Sequence, residues 1–277
     1  MKRTEKKEVN SYGKKLGDFI SKFYLALVFI FLYAPIVTLM VFSFNKTKSM
    51  AVWGGFTFDW YSSLLENDRI IATLYYTILI AVIASVVATV IGTISAIGIN
   101  NMKKGPRTLL LNVNYLPVLN PDIVTGISLM TLFAIGGVLF NLKPGFWTML
   151  LAHITFDIPY VILSVLPKLR QLPPNLTDAT LDLGAKPSYA LRKVVIPQIM
   201  PGIVAGFLIA FTMSIDDFVI SFFTTGPGVS NLSIEIYSMA RRGISPEINA
   251  LSTLMFIVVL ALLLIANRKQ SLVKGER

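Results

Sequence analysis

Apolar runs long enough to cross a bilayer, repeated along the chain, restrict its fold more than any motif does. Residues 23–44 carry no charge and comprise 22 positions. At about 1.5 Å per residue, a helix of that length reaches about 33 Å and spans a hydrocarbon core. A second uncharged run covers 71–99, and further apolar stretches at 108–140, 146–166, 202–225 and 248–266 complete a set of six. Pro117 and Pro121 interrupt the third of these. With 54% hydrophobic and 14% charged residues and a mean hydropathy of +0.68, the chain is too apolar for a water-soluble domain. The expectation is an all-α polytopic membrane protein with six transmembrane helices.

Loop charge sets the orientation. Of the 25 Lys and Arg residues, 19 lie in segments 1–22, 100–108, 167–198 and 267–277, against six in 45–70, 138–145 and 224–249. The positive-inside rule places the richer set, and both termini with it, in the cytoplasm. The first span has no small-residue cleavage site and reads as uncleaved. The net charge of +10 is thus a topology device, and nucleic acid is not an expected partner. With no Cys and one His, the chain offers no disulfide, no thiolate and no Cys- or His-rich metal site, so no catalytic residue, cofactor or metal is expected. No Gly-x-x-x-x-Gly-Lys-Ser/Thr phosphate loop occurs, so ATP driving this chain would be bound by another protein. Trp53 and Trp60, in 45–70, suit interfacial anchoring.

One long stretch, 173–202, breaks the apolar pattern and reads as helix, turn, helix. Pro173 and Pro174 stop what precedes, Asn175 can cap, and Asp178 suits the first turn of a helix. Gly184 supplies a left-handed stop, Pro187 opens a second helix, and Pro197 closes it. Leu176, Ala179, Thr180 and Leu183 fall on one face. So short a helix does not persist alone in water and needs a groove to lie in.

Four carboxylates fall inside the spans, Asp122, Asp157, Asp216 and Asp217, and no Lys or Arg does. A charge at that depth costs about 2.5–3.5 kcal/mol on insertion scales, so each acid asks for a partner, and a cationic substrate is one. Asp122 follows Asn120-Pro121, where it either caps the second half of a broken helix or faces a pathway. Asp157 stands four residues after His153, the spacing at which the two would pair, and that pairing is preferred to substrate contact. Asp216 and Asp217 would point about 100° apart on a helix, which lets one of them face a pathway. Gly202, Gly206, Ala210 and Ser214 form a small-residue stripe for close helix packing. The outer segment 226–249 is long enough to dock a solute-binding protein.

The hairpin residues Asp178-Ala179-Thr180, Gly184-Ala185, Ile196-Pro197 and Pro201-Gly202 resemble the EAA loop of ABC importer permeases. Asp178 stands in place of the usual Glu and Thr180 in place of the second Ala. The resemblance implies a coupling helix that docks into a cleft of a cytoplasmic ATPase through Asp178, Ala179, Gly184 and Ala185. Residues 117–124, 211–218 and 236–250 look like the permease subunit of spermidine/putrescine importers, within a likeness that runs from about 20 to 268. It implies alternating access in a bacterial cell membrane, with no bond chemistry in this chain. The implied partners are a homologous second permease, an ABC ATPase dimer and an extracytoplasmic polyamine-binding protein. Related permeases carry other cations or iron. A proton-coupled secondary transporter, using Asp157 or Asp216 as relay, is the alternative of another class; it would need internal repeats, which are not visible, or a self-sufficient pathway, and would not need the soluble loop. The chain then divides into a basic tail (1–22), a first span and outer loop (23–70), a permease core (71–266) holding the coupling loop 173–202, and a second tail (267–277).

Overall fold

The computed structural model describes residues 2–48, 52–243 and 246–275. The first residue and last two residues of the tails, residues 49–51 of the first outer loop, and Ile244 and Ser245 within the passage 236–250 lie outside the described residues. Among the described residues the regular secondary structure is helical apart from one isolated antiparallel bridge between Asn45 and Phe56. Five helices are long and apolar enough to cross a membrane: Ile20–Phe42, Asp68–Asn100, Asp122–Phe140, Phe146–Arg170 and Pro187–Asp216. A shorter apolar helix, Pro246–Ala261, takes the sixth place. The chain forms two compact units, Met1–Leu64 with Gly243–Met255, and Leu65–Arg242 with Phe256–Arg277.

In the first unit, α1 (Lys2–Phe42) carries the basic tail and the first span as one continuous helix. Its apolar window has no buried residue, as a lipid-facing helix requires. Beyond it, Asn45 organises the outer segment. Its side-chain amide donates to Val52 O at 2.9 Å and accepts from Gly54 N at 2.8 Å, and its carbonyl accepts from Trp60 Nε1 at 2.8 Å. Phe44, Phe56 and Phe58 stack around this turn with centroids 5.0–5.4 Å apart. Trp60 thus spends its indole N–H inside the protein, while Trp53 stays exposed. The segment read as a loop over 45–70 also holds α2 (Asp59–Glu66), and the next helix begins at Asp68 instead of Ile71.

The second unit is built around α6 (Phe146–Arg170), which packs against α3 (Asp68–Asn100) on one side and α9 (Ile196–Asp216) on another. Lipid gives helices no hydrophobic reason to associate, so close backbone approach and dispersion must hold them. Small residues supply that approach. On α3, Thr73, Thr77, Ala81, Ala84, Ala88, Gly92 and Ala96 make a buried seam at helical spacing. A Cβ at Gly92 would sit 2.7 Å from Val161. On α9 the stripe anticipated from sequence packs as expected: Gly206 would place a Cβ 3.2 Å from the Val161 Cα, and Ala210 and Ser214 are buried. Asn67 caps α3 by accepting from the Arg69 and Ile70 amides.

Three sequence expectations about continuity fail, each for a local reason. The third span does not run over 108–140: α4 (Lys104–Leu119) ends at Asn120-Pro121, and only α5 (Asp122–Phe140) is long enough to span. Pro117 is absorbed within α4; the break falls at Pro121, whose carbonyl starts α5 by accepting from Val124 N at 2.9 Å. The fifth span does not run unbroken over 202–225 either, since α9 stops at Asp216 and α10 (Val219–Thr224) begins after a gap. Conversely, Pro197 closes nothing. The helix that opens at α8 (Pro187–Tyr189) continues through a π turn (Ala190–Val195) into α9. That wider turn gives the backbone slack just ahead of the proline ring, so the missing N–H does not end the helix.

Candidate functional site

Two regions carry the candidate residues, and both lie in the second unit. The first is the polar hairpin. α7 (Leu176–Asp182) starts on a backbone bond from Ala179 N to Asn175 O of 2.9 Å, without the expected side-chain cap from Asn175. It ends as the sequence anticipates: Gly184 has φ +83°, its N–H donates to Leu181 O, and Ala185 N donates to Thr180 O. That paired arrangement is a Schellman stop, which needs a residue free of left-handed strain. The face predicted to be shared divides, with Leu176 and Thr180 half-buried against the π turn and Ala179 and Leu183 exposed. Leu183 is 89% exposed and Tyr189 56%, an unusual presentation for large side chains outside a span. Together with Lys186 and Arg192 they line an open cleft of about 540 Å³ at the turn, where Gly184 and Ala185 also sit. Asp178 is exposed on the first turn of α7.

The second region is a buried polar network across the break between α9 and α10. His153 on α6 does not pair with Asp157. Its Nδ1 lies 2.6 Å from Ser214 Oγ and its Nε2 2.8 Å from Ser221 Oγ. The acid beside the ring is Asp217, 3.6 Å from Nε2. Helical spacing set up the expected pair, but hydroxyls from α9 and α10 reach the ring first. Asp217 in turn caps α10, accepting from Ile220 N at 3.2 Å and Ser221 N at 2.7 Å. Asn231 closes the gap by donating to Asp217 O and to Ser221 Oγ, both at 2.8 Å, while its own oxygen accepts from Ile234 N. Thr148 ties the start of α6 to the end of α10 through Thr224 O at 2.7 Å. Apart from His153, which lies inside α6, each of these side chains stands at or near a helix end, so the break is a built feature.

The four acids fall into one neighbourhood on unequal terms. Asp217 lies in electrostatic range of His153, Asp157 and Asp216, and Tyr160 in range of Asp157 and Asp122. Asp122, in the first turn of α5, and Asp216, the last residue of α9, are exposed. Asp157 has no exposed surface, and neither carboxyl oxygen has a hydrogen-bond partner. Among the described residues, no three His, Asp or Glu side chains gather in a way that could hold a metal ion.

Residues 88–274 match the family model described as the binding-protein-dependent transport system inner membrane component. The chain belongs to this family. This permease is 35% identical over 249 residues to the spermidine/putrescine transport system permease protein PotC of Escherichia coli (strain K12), covering 90% of this chain and 93% of that one. It is 38% identical over 237 residues to the putrescine transport system permease protein PotI of the same strain, covering 83% of each. Among solved structures it superposes on a bacterial alginate ABC transporter in complex with an alginate pentasaccharide-bound periplasmic protein. There the TM-score is 0.71 at 17% identity, over 90% of this chain and 92% of that one, a likeness of fold.

Reading the sequence alone missed several residues of the permease's central network. In the sequence Ser214 stands out only as part of a packing stripe, and nothing marks Ser221 or Thr148. A local signal existed for Asn231: it precedes Leu232 at the start of α11 (Leu232–Arg242), where an Asn suits a helix start. Glu235 stands in the first turn of α11, inside the segment 226–249. It is buried and accepts from Arg69 Nε at 2.9 Å, with Arg69 Nη2 also at 2.9 Å and Arg242 Nη2 at 3.5 Å. With Leu232 N donating to Thr77 Oγ1 at 2.8 Å, this holds α11 against α3.

Proposed function

We propose that this permease forms part of the translocation path of an ATP-driven importer for polyamines, with spermidine and putrescine as the substrate class. The observation that carries the reading is similarity over most of the chain to two permeases named for those substrates. The segregation of charge supports it, since the apolar runs 23–44, 71–99, 108–140, 146–166, 202–225 and 248–266 hold Asp122, Asp157, Asp216 and Asp217 without a single Lys or Arg. A polycation crossing such a layer finds fixed negative charge in a region of low dielectric, where attraction is strong. The exposed turn around Leu183, Gly184 and Ala185, with Asp178 and Ala179 on the helix before it, suits docking to a separate cytoplasmic ATPase. On this reading both termini face the cytoplasm of a bacterial cell. The chain itself hydrolyses nothing and binds no cofactor. A second, homologous permease completes the path, and an extracytoplasmic polyamine-binding protein delivers substrate toward the outer segment 226–249.

Uptake of radiolabelled spermidine and putrescine, in cells carrying the whole transporter, tests the proposal. Asp216→Asn and Asp217→Asn should each lower uptake at least tenfold while the complex still assembles. Normal uptake by both single variants and by the double variant would remove the cationic path. A Walker-lysine substitution in the partner ATPase should abolish uptake. Import by this chain alone in vesicles would instead establish a secondary transporter.

A further inference from the structure

A second concave site lies at the root of the hairpin, away from its exposed turn. It has a volume of about 570 Å³ and is walled by the last turn of α3, the turn into α4, the end of α6 and the π turn. Arg107 and Arg170 line it together with Asn100 and Asn101, and no acidic side chain does. Arg107 Nη2 donates to Asn100 Oδ1 at 3.4 Å, which orients the guanidinium. Apart from Thr177, the remaining walls are apolar, Leu172 and Leu191 among them. Its level in the fold is fixed by the spans, because α3 ends at Asn100 and α6 at Arg170.

We propose that this groove binds one anionic phospholipid. A phosphate pairs with a guanidinium in a two-pronged, charge-assisted geometry that an ammonium cannot reproduce. The apolar wall beside it takes the first methylenes of an acyl chain. At the end of two spans, the headgroup layer is the chemistry that reaches the site, and basic pockets between helices at that level select anionic lipids. Lys103 and Lys104, between Asn101 and Arg107 in the sequence, and Lys168, next to Leu169, add positive charge and favour a net negative headgroup over a zwitterion. The groove is walled by Pro173, Pro174 and Leu176 on one side and the end of α3 on the other, so a bound lipid braces the hairpin root against the spans. That mechanical consequence rests on the coupling role proposed above; the lipid site does not.

The test is native mass spectrometry of the assembled transporter, titrated separately with phosphatidylglycerol, phosphatidylcholine and free glycerol phosphate. Wild type should retain phosphatidylglycerol at least tenfold more tightly than phosphatidylcholine and should not retain glycerol phosphate. Arg107→Gln/Arg170→Gln should lose that preference. Arg107→Lys/Arg170→Lys, which keeps the charge and removes the fork, should lose at least threefold in affinity, and this milder pair covers a double Gln variant that fails to assemble. Equal retention of the two lipids, unchanged binding in the Lys pair, or retention of glycerol phosphate would each overturn the site. So would protection of the groove from hydrogen exchange by the ATPase with no lipid bound. Spermidine-stimulated ATP hydrolysis, compared in phosphatidylglycerol and phosphatidylcholine nanodiscs, then reads the bracing effect. Lipid binding without a difference in hydrolysis would overturn the bracing and keep the site.

Discussion

Replacing Asp157 with alanine should make this permease more stable, although it removes a side chain from the middle of the α6 packing. The carboxyl has no exposed surface and no hydrogen-bond partner at either oxygen. Leaving a buried polar group unsatisfied costs about 1–3 kcal/mol. Deleting the carboxyl opens a space on the order of 30 Å³, and at about 24 cal/mol per Å³ that cavity costs about 0.7 kcal/mol. The net expectation is a gain of about 0.3–2.3 kcal/mol, or roughly 1–9 °C at the usual conversion for chains near this size. Thermal unfolding of the purified transporter in detergent, followed by tryptophan fluorescence, measures it. His153→Ala run in parallel should move the other way by about 3 kcal/mol, because it orphans Ser214 and leaves Ser221 with Asn231 alone, as well as opening a cavity. A fall in the midpoint for Asp157→Ala would refute the reasoning, since it would mean the carboxyl has a stabilising partner in the working protein. Uptake by the same variant adds the functional half. Greater stability with lost transport would mark Asp157 as retained for the path at a structural cost.

Other perturbations follow from the geometry. Gly206→Val should weaken the seam between α9 and α6 by about 1–3 kcal/mol, read as a lower melting midpoint, because its first side-chain carbon already meets backbone at 3.2 Å. Gly184→Val should cost about 1–2 kcal/mol locally through its positive φ and reduce ATPase-driven uptake more than overall stability, as measured by ATPase co-purification and transport. Glu235→Gln should release α11 from Arg69 and raise hydrogen exchange in residues 232–242 several-fold; because both arginines are well exposed, the loss should stay at about 1 kcal/mol.

Span existence was legible because hydrocarbon imposes a length and an apolarity that no local detail overrides. The small stripe on α9 was legible for the same kind of reason, as only small side chains let two backbones approach in lipid. Gly184 was legible because a left-handed stop has few alternatives. What misled was any inference that stayed within one helix. Spacing alone paired His153 with Asp157, whereas the ring's partners come from residues 61 and 68 positions away. Pro197 was read as a stop because the π turn that absorbs it leaves no compositional mark. The hairpin's apolar face was read as one surface, but the structure uses Leu176 inward and leaves Leu183 outward, where a partner would meet it.

Three of the four acids stand at backbone breaks, Asp122 opening α5, Asp216 ending α9 and Asp217 bridging into α10. A broken helix within a membrane leaves amide and carbonyl groups that lipid cannot satisfy. Here the chain satisfies them itself: the Asp217 carboxylate takes the Ile220 and Ser221 amides, while Asn231 and Ser233 take the carbonyls of Asp217 and Asp216. Holding the break is therefore the structural task of Asp217, and attracting a cation is a second use of the same charge. Two variants separate the tasks. Asp217→Asn keeps an oxygen for the 2.7 Å bond to Ser221 N and should lose uptake with little change in melting. Asp217→Ala removes the cap as well and should lose uptake together with about 1 kcal/mol of stability. If both variants melted alike while only Asp217→Ala failed to transport, the charge would be irrelevant to the path, and shape at the break would explain transport by itself.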